Sequence, residues 1–324
     1  MLRLFKFSVY LFIAMGAYLA FLLSADFAGK TVSQKAEAAP TEEAPKNVTN
    51  GNGTTDSAKI KYANGEVHAE LLPHKAVYKL SLVKGSHGDT IGSISGSISY
   101  ELKKQCNDWK TVQKTDLVIK YKSGAVFDLK STENLSESKD GKNYTFSLAR
   151  TIKNLEELVI EGKAEKNEDG SVFVSFSKPE QKTKLFKKGV VFPLEHTKQV
   201  IELAESGKSF FSHKVFSGWI DNNVKKPEDG SAEVSTVIKP IKDDAKLPES
   251  KLLQKIGITT DEVPFPVHMA SYLNNNKTGQ PDMEAAMLMF KNGLIKSIKL
   301  DYGSFSVMGN LSELKAVENS ECEN

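Results

Sequence analysis

Six histidines and two cysteines are where metal or nucleophilic chemistry would first be sought in this 324-residue chain. His68, His74, His87, His196, His213 and His268 never stand at ligand spacing such as four apart on a helix, and no second His or Cys accompanies Cys106 or Cys322. That pattern argues against a zinc centre. Gly207-Lys208-Ser209 has the ending of a phosphate-binding loop. The loop's first glycine would fall at position 202, which is Glu202, and the motif must precede a helix rather than end one. Gly92-Ser93-Ile94-Ser95-Gly96 places Ile94 where a hydrolase elbow needs its serine, so it reads as a strand thinned by glycine. His196 has no nameable nucleophile beside it and reads as a structural histidine against a sheet. No catalytic, cofactor-binding or metal-ligating residue is expected.

The cysteines bear on compartment instead. Residues 1–25 open with Arg3 and Lys6 and continue as an apolar run from Phe7 to Leu23, the pattern of a signal peptide or N-terminal anchor. Cleavage is the favoured reading, and either way the remainder leaves the cytoplasm. In an exported chain the default for Cys106 and Cys322 is a disulfide, the alternative being two unpaired thiols. Closing a loop of that length contributes at most roughly 5 kcal/mol in the chain-entropy model. The chain has 43 basic and 41 acidic residues, and setting Arg3 and Lys6 aside leaves 41 of each and no net charge, which argues against a nucleic-acid binder. Lys182-Thr183-Lys184 with Lys187-Lys188 reads as a solvated strand face.

Residues 26–58 form a linker, small and polar with almost no large apolar group, and are expected to be disordered. From residue 59 to 324 one β-rich domain is expected. Alternating runs at Val77–Leu82, Ile94–Leu102, Leu117–Tyr121, Val126–Leu129, Tyr144–Leu148, Leu155–Glu161 and Val172–Phe176 are separated by turns rich in Gly, Asn and Asp. Phe210-Phe211, Val215–Ile220, Val234–Ile238, Val267–Leu273 and a hairpin about Asn292-Gly293 follow. Lys251–Ile256 reads as a helical turn ended by Gly257, and Leu311–Val317 as a short terminal helix delivering Cys322.

Among these strands stands one clear helix. Pro193 suits its first position, Glu195 its positive end and Gly207 its stop. Leu194, Val200, Ile201, Leu203 and Ala204 make its apolar face, with Lys198, Glu202 and Glu205 turned to water. A lone amphipathic helix must bury its stripe on a sheet, so the fold class is mainly β: a curved, spiral, half-barrel-like antiparallel sheet with one main helix packed against it.

An ordered series now stands out: His74-Lys75-Ala76-Val77-Tyr78-Lys79-Leu80-Ser81-Leu82, Ile94–Glu101, Cys106-Asn107-Asp108-Trp109, Phe192-Pro193-Leu194-Glu195-His196 and Val215-Phe216-Ser217-Gly218. Lys291-Asn292-Gly293-Leu294, Asp301-Tyr302-Gly303-Ser304-Phe305 and Cys322 complete it. Over roughly residues 66–322 the chain resembles the EipB family of α-proteobacterial cell-envelope integrity proteins. The resemblance implies a periplasmic spiral sheet closed by a disulfide at the positions of Cys106 and Cys322. It implies a non-enzymatic role with a protein partner, a tetratricopeptide-repeat periplasmic protein among them. Asn107-Asp108 and Ser217-Gly218 depart from the basic-Gly and Asp-Gly pairs usual there, and Val267–Leu273 lacks the family's tryptophan.

The leading expectation is therefore a periplasmic binding or scaffold protein that supports envelope integrity. The rival class is a carrier of lipid or lipoprotein, with Met283, Met287, Met289 and Phe290 lining a groove for an acyl chain. An envelope hydrolase is least favoured. A homodimer and a lipid ligand are both compatible with the residues, and no cofactor is expected.

Overall fold

A computed structural model describes residues 69–83, 91–219, 230–239, 247–273, 279–303 and 305–319. The readings for residues 1–58 and for Cys322 lie outside the described residues.

The alternation of the sequence becomes long strands, β1 (His74–Leu82), β2 (Ile91–Gln105), β3 (Asp108–Tyr121), β4 (Val126–Ser138), β5 (Asn143–Ile152), β6 (Leu158–Lys166) and β7 (Val172–Lys178). In β1, His74, Ala76, Tyr78 and Leu80 are buried while Lys75 and Lys79 are exposed, as the pleat demands of a half-buried strand. Then come β8 (Lys182–Phe186), β9 (Val190–Val191), helix α1 (Pro193–Glu205), β10 (Phe210–Phe216), β11 (Ser231–Ile238), α2 (Lys251–Gln254) and β12 (Phe265–Leu273). Strands β13 (Met283–Met289), β14 (Ile295–Asp301) and β15 (Ser306–Ala316) end the fold.

All fifteen strands form one sheet, in which neighbours in sequence are neighbours in space except where β1 pairs with β15. Pairing is antiparallel throughout, save the short parallel contact of β9 with β10. The two ends of the sheet are β8 and β9, yet only residues 187–189 separate them in the chain. A stretch that short reaches about 14 Å at full extension, so the first and last strands must meet. The sheet is thereby wrapped into a nearly closed barrel with its seam at β8 and β9.

Glycine permits the close approaches this wrapping needs. At Gly96, with φ 150°, a Cβ would lie 2.0 Å from the Asp116 carbonyl oxygen of β3. Gly218, with φ 89°, lies where a Cβ would touch the Phe146 ring at 2.6 Å.

The segment Leu311–Val317 is not a helix. Leu311–Ala316 form the second half of β15, whose residues pair with β1 from His74↔Ala316 to Leu82↔Val307. A seven-residue helix is marginal by itself, whereas pairing here satisfies the free edge of β1 and buries Leu314. Leu155–Glu161 is also corrected: β6 begins at Leu158, and Leu155 is 53% exposed in the preceding turn. Strands β8 and β9 were not separate elements in the sequence reading. Lys182 and Lys184 do lie on a strand, as read.

Candidate functional site

Helix α1 lies against β10 and β11, with Pro193, Leu194, Val200, Ile201 and Leu203 buried. His196 is fully buried, its ring 5.1 Å from that of Phe211 and its Nε2 3.4 Å from Thr236 Oγ1. Burial drives its pKa down to about 3, so it stays neutral and is a packing residue, as the sequence reading held. Gly207 (φ 71°) ends the helix, with the Lys208 amide returning to the Leu203 carbonyl at 3.0 Å.

The helix starts where the sequence placed it, with Pro193 first and Glu195 in the first turn, and it adds a cap from the wall that the sequence did not name. Phe192 occupies the N-cap and has no acceptor in its side chain. A carboxylate from the wall takes that role: Glu137 of β4 accepts the amides of Leu194 at 2.9 Å and Glu195 at 2.8 Å. Glu195 in turn accepts from Lys166 of β6 and from the Phe192 amide. Burial, then the charge of Glu195, raises the Glu137 pKa to about 7 against the pull of the two amides. Lys198, expected in water, is instead 7% exposed and faces the carboxylates of Glu137 and Glu195. It is buried because the barrel surrounds the helix, whereas an open half-barrel would leave that face wet.

The inner face of β3, β4 and β5 is polar at mid-height. Thr111, Gln113, Thr115, Ser131, Glu133 and Arg150 are all buried there. Gln113 Nε2 donates to Glu133 Oε1 at 3.2 Å, and burial pushes the Glu133 carboxyl well up. The Arg150 guanidinium sits 5.9 Å from the centre of the Trp219 ring. On either side the lumen is apolar, with the aromatic group of Tyr144, Phe146, Phe176, Phe192 and Phe216 on one.

The polar wall patch and the helix capped by a wall residue lie inside a nearly closed meander. Residues 66–318 match the EipB-like family. Over 249 residues the chain is 30% identical to the cell envelope integrity protein EipB of Brucella abortus (strain 2308), covering 75% of this chain and 84% of that one.

The chain belongs to the EipB-like family.

Its fold is that of the crystal structure of a β-barrel-like protein of the domain of unknown function DUF1849 from Brucella abortus. The TM-score is 0.66 at 22% identity, over 77% of this chain and all of the other.

Within this EipB-like chain the quoted series falls on β1, β2, the β2–β3 turn, the start of α1, the end of β10 and the β13–β14 hairpin. Cys106 occupies the β2–β3 turn with φ 57°, and the described residues hold no free cysteine. Met283, Met287, Met289 and Phe290 belong to the packed apolar cluster that includes α1. Among the described residues no group of three His, Cys, Asp or Glu could hold a metal ion, and no helix is long and apolar enough to cross a membrane.

Sequence reasoning missed Glu137 and Arg150. A signal for Arg150 was present: it keeps the inward parity of Tyr144, Phe146, Leu148 and Ile152 along β5, where an arginine is out of character. Glu137 carried no such mark, since its partners are amides 57 and 58 positions away.

Proposed function

We propose that this chain is a non-enzymatic periplasmic protein that supports cell-envelope integrity by docking a protein partner. The observation that carries this is the 30% identity to a protein named for envelope integrity, spread over 84% of its length. The outer wall supports a docking role. Phe173 faces Leu185 on β7 and β8, and Phe210 faces Val237 on β10 and β11. All four are exposed, and the two pairs stand on strands flanking the seam. A tetratricopeptide-repeat protein of the periplasm is the proposed partner class, and Cys106 with Cys322 the proposed disulfide. Export through residues 1–25 is part of the same reading.

Deleting the gene should sensitise cells to detergent, with rescue by the exported protein and not by a form lacking residues 1–25. Unchanged sensitivity would overturn the envelope role. Crosslinking in intact cells should capture one partner, and replacing Phe173 and Phe210 by Ser should lose it. Maleimide should label neither Cys106 nor Cys322 in unfolded, unreduced protein, and labelling of both would exclude the disulfide.

A second reading, a carrier holding an acyl chain inside the sheet, is favoured by the buried polar patch at Arg150.

A further inference from the structure

Two rows of inward side chains cross β3, β4 and β5. In one, Thr115 faces Ser131, which faces Arg150; in the other, Gln113 faces Glu133. Facing side chains in a ladder stand about 5 Å apart at Cβ, so five polar groups share one small patch. Aliphatic side chains border it: Ile98 beside Thr115, Leu148 beside Glu133, and the row Leu117, Leu129 and Ile152 beyond. All are buried.

Four of these polar groups have an atom without a hydrogen-bond partner among the described residues: Thr115 Oγ1, Ser131 Oγ, Glu133 Oε2 and Arg150 Nη1. Arg150 is only 6% exposed, Ser131 5%, Thr115 2% and Glu133 1%. Buried polar atoms in native proteins nearly always have partners, and a cluster of exceptions calls for an explanation. Helix α1 does not supply one, since it packs on β10 and β11 and reaches β4 through Glu137 at its first turn.

We infer that Thr115, Ser131 and Arg150 form an anion subsite inside the barrel that receives the carboxylate of an amphiphile, whose apolar body lies along the bordering aliphatic side chains. The inference rests on the carrier reading and names its ligand class. The guanidinium fork matches a carboxylate in geometry and charge, and each hydroxyl can donate to it. One permanent cation calls for one negative charge. Burial pushes the Glu133 carboxyl well above the ordinary carboxylate range, which weakens its repulsion of an incoming anion. Trp219 covers the guanidinium from the side of the aromatic group.

The test is calorimetric titration of the full-length, delipidated protein with palmitate and, separately, with hexadecan-1-ol. Palmitate should bind at one site at least tenfold more tightly than the alcohol, and Arg150→Met should remove that difference. Equal binding of the two probes, or a preference for palmitate that survives Arg150→Met, would overturn the anion subsite and leave the carrier reading standing. Binding of neither probe would overturn both. Should Arg150→Met fail to fold, Ser131→Ala keeps the question open to measurement. It should weaken palmitate severalfold and leave hexadecan-1-ol unchanged, and an unchanged palmitate affinity would overturn the assignment.

Discussion

The wall formed by β12, β13 and β14 and the wall formed by β3, β4 and β5 are built on the same antiparallel pleat, yet their inner faces differ. On the first, Val267 faces Met287 and Met287 faces Ile298, while Met269 faces Ala285 and Ala285 faces Leu300. Every one of these is buried in the cluster that also holds Val200, Ile201 and Leu203 of α1. On the second, the equivalent inward positions include Gln113, Thr115, Ser131, Glu133 and Arg150. Burial is the same, chemistry is not. The first wall gains the transfer free energy of each side chain, about 1.5–3 kcal/mol for a fully buried large aliphatic one. The second holds groups whose desolvation opposes folding. A barrel that only needed stability would be apolar on both sides, so the polar wall is where function is expected to be traded against stability.

The comparison can be broken most severely at Val200, which is fully buried beneath the sheet. Val200→Asp places an uncompensated charge in the apolar cluster and should cost several kcal/mol, enough to abolish a cooperative thermal transition. A variant that melts normally would mean the helix is not packed in the lumen. Next in size, Leu203→Ala should cost roughly 2–5 kcal/mol in urea unfolding, as expected for a filled core position. A cost below about 1 kcal/mol would show that Leu203 borders space for a ligand.

Glu137 ties the polar wall to the helix, and its effect depends on pH. The folded pKa of about 7 lies above the ordinary glutamate value of 4.5, so the folded state holds a proton that the unfolded chain releases. This contribution is complete below about pH 4.5 and is lost as pH rises through 7, a swing on the order of 3 kcal/mol. His196 acts in the other direction: its folded pKa of about 3 gives a contribution present above 6.5 and lost as pH falls toward 3. Urea unfolding of Glu137→Gln and the unsubstituted protein at pH 4.5 and 8 isolates the first term. The stability difference between the two proteins should move by that amount, in favour of the variant at the higher pH. A difference independent of pH would show that Glu137 is ionised throughout.

Arg150→Met sharpens the contrast directly. Replacing a buried cation with an unpartnered nitrogen by an apolar side chain should change stability by less than about 1 kcal/mol, or raise it. A loss matching that of Leu203→Ala would make the two walls energetically alike. The smallest effect is expected at Glu205, exposed at the end of α1, where Ala should fall within about 0.5 kcal/mol by the same unfolding assay. Lys198→Ala should cost more than Glu205→Ala, because it removes the cation that faces the buried Glu137.

The elements were legible because their signals are local. Alternation along His74–Leu82, the Asn292-Gly293 turn and the Pro193-to-Gly207 frame each follow from a handful of adjacent residues. Fold class followed too, since one amphipathic helix among strands has to bury its stripe on a sheet. The ordered series of short motifs carried the family, because it samples the whole domain in one order.

Closure was decided elsewhere. Pairing of β1 with β15 joins His74 to Ala316, and it turned an expected terminal helix into a strand, because an unpaired β1 edge outweighs a weak local preference. The wrapping that brings β8 up to β9 surrounds α1, which is why Lys198 is buried although its spacing placed it on a wet face. Glu137 caps a helix 57 residues away, and Thr115, Ser131 and Arg150 meet only through the register of three strands. A pattern within one strand says which face a residue takes. Its neighbours on that face depend on register and curvature, and those are properties of the assembled sheet.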